Sequence, residues 1–162
     1  NKSLGLPPEN NTLNIETTLN KKTKYFKYIS EAYSLFSEKK YNEALEKLDE
    51  VEKLFSKTLL SNDSTSKIAS VNNFRGFNYL ALDELEKAKE AFETALKLNQ
   101  YSSQACAGLG EVYFLGGLDK DAKTMFEWAV KNNPNNGFAV RGLSKINKQL
   151  GFTDTHNSLF SA

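Results

Sequence analysis

The sequence predicts an all-α fold, a right-handed α-solenoid of three helical hairpins followed by a C-terminal capping helix. First, five residue types recur 34 positions apart without a gap: Gly76 and Gly110, Tyr79 and Tyr113, Ala88 and Ala122, Phe92 and Phe126, and Ala95 and Ala129. Second, apolar residues inside each repeat follow the 3.6-residue period of amphipathic helices. Repeats of this length bury their apolar faces by stacking on one another, which produces a solenoid.

Each predicted hairpin consists of two helices joined by a short turn. The middle turn falls at Asp83-Glu84 and the third at Gly116-Gly117, where glycine supplies the positive φ that helix ends often require. A weaker copy lies 44 residues before the middle one and is carried by Ala32, Leu35, Ala44, Leu48 and Val51. The ten additional residues fall around 57–66, whose Ser, Asn and Asp content predicts a loop.

Small and large residues divide the packing between them. We expect Gly76 and Gly110 to let the two helices of a hairpin approach closely, because a larger side chain there would hold them apart. We expect the repeated aromatic residues to fill the volume between successive hairpins; they are Tyr79, Tyr113, Phe92 and Phe126.

The repeats also predict the domain boundaries. Residues 1–14 contain Pro7-Pro8 and several Asn, and we expect an extended or mobile arm there. The repeat domain then spans residues 15–151, with Pro134 expected to start the last helix, where its missing N–H is tolerated. Its parts are repeats at about 25–58, 69–102 and 103–136, a capping helix at 136–150 and, beyond it, a tail at 152–162.

The composition argues against catalysis. The 162 residues include one Cys and one His, which excludes an internal disulfide framework and leaves little material for a Ser–His–Asp or Cys–His site. No second His or Cys completes a transition-metal site. The formal net charge of +1 gives no global attraction to nucleic acid, and no apolar run reaches the length of about 20 residues that a membrane span needs. We therefore expect no enzyme activity, no catalytic or metal site, no cofactor and no nucleic-acid partner.

Two single residues could carry a function. Cys106 lies among alanines with no basic residue nearby in sequence to stabilise a thiolate, so we expect a small buried apolar side chain. Trp128 falls between the packing residues Phe126 and Ala129. It is expected on the convex side, as a second contact surface or, in the interpretation we favour, packed beneath a neighbouring helix.

The repeat resembles the tetratricopeptide repeat family. The third unit carries the resemblance best, with Leu109, Gly110, Tyr113, Gly117, Ala122, Phe126, Ala129 and Pro134. The resemblance covers about residues 24–151, and the first unit departs from the pattern at Glu31 and Ser56. It implies that the first helix of each hairpin lines a concave surface, where this family usually binds an extended or helical peptide.

That register places a candidate groove on the first helices. Its N-terminal half is aromatic, and its last helix carries positive charges, so we expect a peptide with apolar side chains and an acidic group. The predicted groove residues are Phe26, Ile29, Tyr33, Phe36, Asn73, Phe74, Phe77, Glu111, Phe114, Arg141, Lys145 and Lys148.

One function of the family is expected to be absent. Some members hold the C-terminal carboxylate of heat-shock chaperones with a clamp of Lys, Asn, Asn, Lys and Arg. None of the five matching positions keeps the type that the clamp requires; they are Ile29, Tyr33, Phe74, Gln104 and Gly108.

The sequence leaves a second function class open. The chain begins at Asn1, its only Met is Met125, and the start Asn1-Lys2-Ser3-Leu4-Gly5 echoes Asn147-Lys148-Gln149-Leu150-Gly151. We therefore expect a module of a larger protein, and the many Lys and Asn residues favour a bacterial source. The sequence does not identify the compartment, and a cytoplasmic location is favoured. The alternative to peptide binding is a structural or regulatory repeat domain that packs against other parts of its parent, for example a glycosyltransferase or methyltransferase, without a ligand of its own.

Overall fold

The structure is a computed structural model that describes the backbone of residues 9–55 and 61–160 and the side chains of 15–55 and 61–151. The described residues form helices and turns, with no strand among them. The chain divides into two compact units, Asn1–Lys57 and Thr58–Ala162, called unit 1 and unit 2 below. In chain order the helices are α1 (Glu9–Ser37), α2 (Tyr41–Phe55), α3 (Asn62–Ala81), α4 (Leu85–Leu98), α5 (Ser103–Leu115), α6 (Asp119–Asn132) and α7 (Gly137–Phe160).

Unit 1 is one helical hairpin, in which α1 packs against α2. Ala32 of α1 and the apolar stripe of α2 are buried; that stripe is Ala44, Leu48, Val51 and Phe55. Lys39 takes a positive φ of 61° in the turn between the helices. The rings of Tyr25 and Phe55 meet at the open end of the hairpin, with their centroids 5.9 Å apart.

The N-terminal end of α1 differs from the sequence prediction. The helix begins at Glu9, so residues 9–14 are helical rather than extended, while residues 1–8 of the predicted arm lie outside the described chain. Pro8 stands directly before the first helical residue, and a proline is compatible with a helix start because no N–H is needed there. The helix therefore extends well before residue 25, where the first repeat was predicted to start.

Unit 2 contains two hairpins and a final helix. Helix α3 packs on α4 and α5 on α6, while α4 contacts α5 and α6 contacts α7, so each element packs on the next. The first helices also lie side by side, with α5 in contact with both α3 and α7. Both predicted turns are confirmed: Asp83 has a φ of 60° and Gly117 a φ of 75°.

Two phenylalanine rings hold the layers of unit 2 together, and each lies between two glycines. A Cβ added at Gly76 or at Gly108 would overlap the ring of Phe92, and one added at Gly142 would overlap the ring of Phe126. At Gly110 the added Cβ would lie 2.8 Å from Cδ1 of Phe126. Each ring thus fills the space between the first helix of its own hairpin and the first helix that follows. The predicted roles of Gly76 and Gly110 are confirmed, whereas Gly108 and Gly142 were not predicted, although they too are 34 residues apart.

Three helix ends in unit 2 differ from the predicted boundaries. Helix α3 begins at Asn62, inside the predicted loop, because Ser61 caps it: the Ser64 amide donates to Ser61 Oγ at 3.2 Å. Pro134 lies in the turn before α7, and Asn136 instead caps that helix by accepting from the Ala139 amide at 3.2 Å. Helix α7 continues through Gly151 to Phe160, since an interior glycine lowers helix stability by only about 1 kcal/mol.

Replacing Gly108 with valine should disrupt unit 2. The new side chain would overlap the fully buried ring of Phe92, and overpacking of this kind typically costs 1–3 kcal/mol or more. We expect the free energy of unfolding, measured by urea denaturation and circular dichroism, to fall by about 3 kcal/mol.

Gly151→Ala is the matched control, since a Cβ there meets nothing within 4 Å. That change should leave stability equal or raise it by up to about 1 kcal/mol, because alanine favours a helix interior. Equal effects of the two substitutions would contradict the packing role of Gly108.

Candidate peptide-binding surface

The first helices of unit 2 carry several of the predicted groove residues on adjoining helices. Helix α3 carries Phe77, α5 carries Phe114, and α7 carries Arg141 and Lys145. Because α5 contacts both α3 and α7, these side chains belong to adjoining helices.

Two aromatic rings meet across the middle helix. The ring centroids of Phe77 on α3 and Phe138 on α7 lie 5.8 Å apart, with an interplanar angle of 83°. Ala107, on the intervening helix α5, is fully buried and belongs to the same apolar cluster as Phe138. Phe77 also packs edge-on against Phe92 at 5.0 Å. Phe77 is therefore partly a packing residue, and its replacement would affect stability as well as any ligand.

The basic end of the surface is organised by a cation–π contact. Lys145 Nζ lies 3.9 Å from the ring centroid of Phe114, within the range of such contacts. Arg141, Lys145 and Lys148 are exposed and spaced so that they share one face of α7. The surface thus combines half-buried rings with several exposed positive charges, which suits a ligand that is both apolar and acidic.

Two predicted residues of α3 are less accessible than a groove lining requires. Phe74 is only 8% exposed, so it contributes to the core and not to an open surface. Asn73 is 7% exposed, and its Nδ2 donates to Ser102 Oγ at 3.0 Å, which ties α3 to the start of α5. Both differ from the prediction because α3 packs against its neighbours along more than one face. Glu111 on α5 is half-buried.

The remaining predicted residues lie on α1 of unit 1, which we describe separately. Phe26 is 56% exposed and Tyr33 59% exposed, while Ile29 and Phe36 are half-buried. The ring of Phe36 packs against Tyr41 at 5.3 Å, across the turn of its own hairpin.

Sequence reasoning missed a polar contact that positions α7. Asn136 Nδ2 donates to Ser103 Oγ at 2.9 Å, and the Ser103 hydroxyl donates to the carbonyl oxygen of Ala129 at 2.7 Å. These bonds join the start of α7, the start of α5 and the end of α6. The capping role of Asn136 could have been predicted, because Asn is a common helix cap. Its bond to Ser103 could not, because the two residues are distant in sequence.

Trp128 lines a cavity on the second helices. The cavity measures about 460 Å³ and is lined by Leu96, Gln100, Tyr101, Cys106, Met125 and Trp128. The indole is 48% exposed, and Lys131 Nζ lies 4.9 Å from its ring centroid. The packed position that we favoured is therefore wrong, because the neighbouring helices do not cover the ring.

Cys106 forms part of the wall of that cavity. The thiol is a buried residue, as predicted, and burial raises its pKa because the thiolate is poorly solvated there. Among the described residues, no three His, Cys, Asp or Glu side chains are grouped so that they could hold a metal ion. Within the same residues, no helix is long and apolar enough to cross a membrane.

Comparisons with known proteins support the predicted family. Residues 69–101 match a family model described as tetratricopeptide repeat. Among curated proteins, the chain is similar to anaphase-promoting complex subunit 3 of Schizosaccharomyces pombe, at 33% identity over 72 residues. That match covers 44% of this chain and 11% of the relative, so the chain spans only a small part of the relative's length.

Solved structures share the fold over most of the chain. The first tetratricopeptide domain of Spaghetti (RPAP3), bound to the HSP90 peptide SRMEEVD, has a TM-score of 0.65 at 21% identity and covers 80% of this chain and 94% of its own. The Sgt2 domain of Aspergillus fumigatus has a TM-score of 0.68 at 21% identity, with 81% and 82% covered. The co-chaperone Cns1 of Saccharomyces cerevisiae has a TM-score of 0.70 at 16% identity, with 85% and 43% covered.

The match over residues 69–101 identifies one tetratricopeptide repeat, and the solved structures show that most of the chain shares the fold of tetratricopeptide repeat domains. The predicted fold class, an all-α solenoid of helical hairpins, is confirmed. This fold is a protein-interaction scaffold and is generally non-catalytic.

Removing the Asn136 side chain should loosen α7. Asn136→Ala deletes a helix cap and the donor to Ser103, and losses of this kind cost about 1–3 kcal/mol. Urea denaturation should show a fall in the free energy of unfolding in that range. The adjacent exposed residue offers the control, and Asn135→Ala should change stability by less than about 0.5 kcal/mol.

The Cys106 thiol should react slowly in the folded chain. Low exposure and a raised pKa both reduce the amount of accessible thiolate. We expect alkylation by iodoacetamide at pH 8, followed by mass spectrometry, to be at least about tenfold slower than in the urea-unfolded chain. Equal rates in the two states would show that the cavity wall opens freely.

Proposed function

We propose that this chain is a non-catalytic interaction module that binds a peptide on the α3–α5–α7 surface of unit 2. Apolar side chains of the peptide would contact Phe77 and Phe114, and an acidic side chain would pair with Arg141 or Lys145. The contact between Lys145 and Phe114 carries the proposal, because it joins a positive charge to an aromatic face on neighbouring helices. A ligand that contacts both the charge and the ring must carry an apolar part and a carboxylate within one short segment.

The charge distribution supports an acidic ligand. Arg141, Lys145 and Lys148 form an exposed positive face on α7, while Glu111 on α5 is the acidic member of the predicted set. Exposed charges of one sign speed association with a ligand of opposite sign, and the effect weakens with added salt. A basic peptide would meet repulsion on this surface.

The remaining predictions from the sequence, on the α1 residues, the parent protein, the source and the location, are part of the same proposal. Phe26, Ile29, Tyr33 and Phe36 of α1 remain predicted groove residues of unit 1 by itself. A larger parent protein, a bacterial source and a cytoplasmic location also remain predictions.

We further propose that the chain does not recognise a free C-terminal carboxylate in the manner of a chaperone clamp. The positions of the clamp hold Ile29, Tyr33, Phe74, Gln104 and Gly108. Phe74 is buried and Gly108 lies against Phe92, which supports a structural role for these two. The HSP90 peptide SRMEEVD is a ligand of RPAP3, to which it is bound in that protein's structure.

The alternative function, packing against other parts of a parent protein, has one observation in its favour. The cavity beside Trp128 is apolar and partly open, with Tyr101 69% exposed at its edge. An exposed apolar surface on the second helices suits a permanent neighbour. In that case the isolated chain would bind no peptide.

A charge-reversal variant tests the peptide surface. We would screen the 162-residue chain by fluorescence polarisation against peptides of one length that vary in the placement of Leu, Phe, Asp and Glu. The best peptide should bind the Arg141→Glu/Lys145→Glu variant at least about tenfold more weakly, because an attractive pair becomes repulsive. Lys120→Glu, an exposed charge change on α6, is the matched control and should leave the affinity unchanged.

Two outcomes would contradict the proposal. Equal affinity of the wild type and the α7 variant would exclude α7 as the basic wall, and failure of every peptide to bind would favour the alternative. The peptide SRMEEVD and its C-terminal amide serve as a separate pair of probes. They should bind with affinities within about threefold of each other, since a clamp is required to sense the terminal charge.

A further inference from the structure

The ring of Phe77, the proposed apolar contact on α3, already packs against two other rings of unit 2. Its centroid lies 5.0 Å from that of Phe92, at an interplanar angle of 76°, and 5.8 Å from that of Phe138, at 83°. Both are edge-to-face pairs, an arrangement that aromatic rings favour. A ligand side chain that packs fully against Phe77 therefore competes with one of these two rings.

Phe92 is too tightly enclosed to be displaced. Its side chain is fully buried, and it lies so close to Gly76 and Gly108 that a Cβ at either glycine would overlap it. Moving this ring would open the space between α3, α4 and α5, which is the core of unit 2. Because protein interiors are close-packed, such a movement would cost far more than a single ring contact returns.

Phe138 has more freedom, because it lies at the start of its helix. It is half-buried and is the second residue of α7. Inside a helix, a χ1 angle near +60° is rare because the side chain would meet the preceding turn of the helix. The residues before Gly137 are not helical, and Gly137 itself is exposed. Phe138 therefore has a rotamer that a residue in the middle of a helix lacks.

The backbone of α7 is fixed close to this ring. Ala139 is fully buried, and its amide donates to Asn136 Oδ1 at 3.2 Å. Further along the helix, Gly142 lies against the ring of Phe126, and Ile146 is fully buried. The contact between the rings of Phe77 and Phe138 can thus open by rotation of one side chain, without movement of the helix.

The surface beneath Phe138 suits an apolar side chain from another source. Phe138 packs against a cluster formed by Cys106, Ala107, Ala129 and Ala139. These four side chains are small, so the ring of Phe138 fills space that they leave. Burial on such a surface is favourable for any ring or branched apolar side chain, including that of a ligand.

The Arg141 guanidinium lies beside this position. A Cβ built at Gly137 would be 3.2 Å from Arg141 Nη1, so the guanidinium reaches back to the residue that precedes Phe138. Spacings of three and four residues place Phe138, Arg141 and Lys145 on one face of α7. A ligand whose apolar side chain took the place of Phe138 would hold a neighbouring carboxylate near Arg141.

We propose that in the free chain Phe138 occupies the position of a ligand's apolar side chain, and that its ring turns away from Phe77 when the peptide binds. The contact between the two rings is self-occluding, since it covers the apolar part of the site until a ligand replaces it. This inference deepens the proposed function and rests on it, because the displaced ring belongs to the same surface.

The strength of the ring contact sets the size of the effect. An edge-to-face pair contributes a free energy equivalent to about two- to twelvefold in an equilibrium constant. When the binding-competent state is populated only in part, the apparent affinity is lowered by that fraction. Removing the ring of Phe138 should thus strengthen peptide binding, whereas removing a residue that contacts the ligand weakens it. The direction of the change decides between these two roles.

The test measures peptide affinity in two Phe138 variants. The probe is the tightest-binding peptide of the Leu, Phe, Asp and Glu series, in fluorescence polarisation with the 162-residue chain. We expect Phe138→Ala to bind it about two- to twelvefold more tightly than the wild type. Phe138→Leu keeps apolar packing but loses the aromatic pair, and it should bind more tightly by a smaller factor.

Val140→Ala is the matched control. Val140 is 45% exposed and lies two residues after Phe138, on the opposite face of the same helix, so its truncation should leave the affinity unchanged. Urea denaturation identifies a variant that does not fold, and the leucine variant carries the test if the alanine variant fails to fold.

A spectroscopic measurement follows the ring itself. With ¹³C-labelled phenylalanine, the free wild-type chain should show nuclear Overhauser contacts between the rings of Phe77 and Phe138, whose centroids lie 5.8 Å apart. At saturating peptide these contacts should be lost, and contacts between Phe77 and the peptide should replace them.

Two results would overturn the inference. One is weaker or unchanged peptide binding in both Phe138 variants, and the other is ring contacts that persist at saturating peptide. If Arg141→Glu/Lys145→Glu loses the peptide while the Phe138 variants bind no more tightly, the proposed peptide surface stands and the occlusion is wrong. If no peptide binds either the wild type or Phe138→Ala, both proposals are wrong.

Discussion

The structure of unit 2 depends on a phenylalanine ring held between two glycines. Phe92 lies between Gly76 and Gly108, and Phe126 between Gly110 and Gly142. A buried phenylalanine contributes about 1.5–3 kcal/mol from its transfer out of water, and here the same ring also joins consecutive first helices. Because no Cβ fits at either glycine, the distance between these helices is set by the thickness of one ring.

This constraint explains why the candidate surface of unit 2 is well defined. With α3, α5 and α7 held side by side, the rings of Phe77 and Phe138 are in contact, and Lys145 lies over Phe114. The cap at Asn136 and its bond to Ser103 then fix where α7 starts. The position of the surface charges of α7 therefore depends on packing and capping. A substitution in the core can move these charges even though no surface residue is changed.

Unit 1 follows a different arrangement. Its hairpin core is built from Ala32 and the stripe of α2, but α1 is much longer than its hairpin partner. The added length presents apolar side chains and lysines that the hairpin itself does not use. The two units thus offer surfaces of different composition: an aromatic and basic surface in unit 2, and in unit 1 the exposed apolar side chains Ile15, Leu19, Phe26 and Tyr33 of α1.

Most of the fold could be predicted from the sequence, because the same residue types recur at a fixed spacing. The 34-residue spacing of Gly76 and Gly110, and of Phe92 and Phe126, indicated the hairpins, their turns and the resemblance to tetratricopeptide repeats. Helix ends were less predictable. Caps at Ser61 and Asn136 override the local preference for a loop or a proline start, and Gly151 is accommodated inside α7.

The candidate site shows a similar division between local and tertiary information. Register along a helix identified Phe77, Phe114, Arg141 and Lys145 as neighbours of a common face, since the 3.6-residue period is a property of the chain alone. Whether each side chain is exposed depends on which other helices pack against it. Phe74 is buried and Trp128 is exposed, both against expectation, because burial is decided by residues far away in sequence. The sequence by itself thus determined the repeat, the hairpins and the order of charges, while only the tertiary structure decided which side chains remain open to a partner.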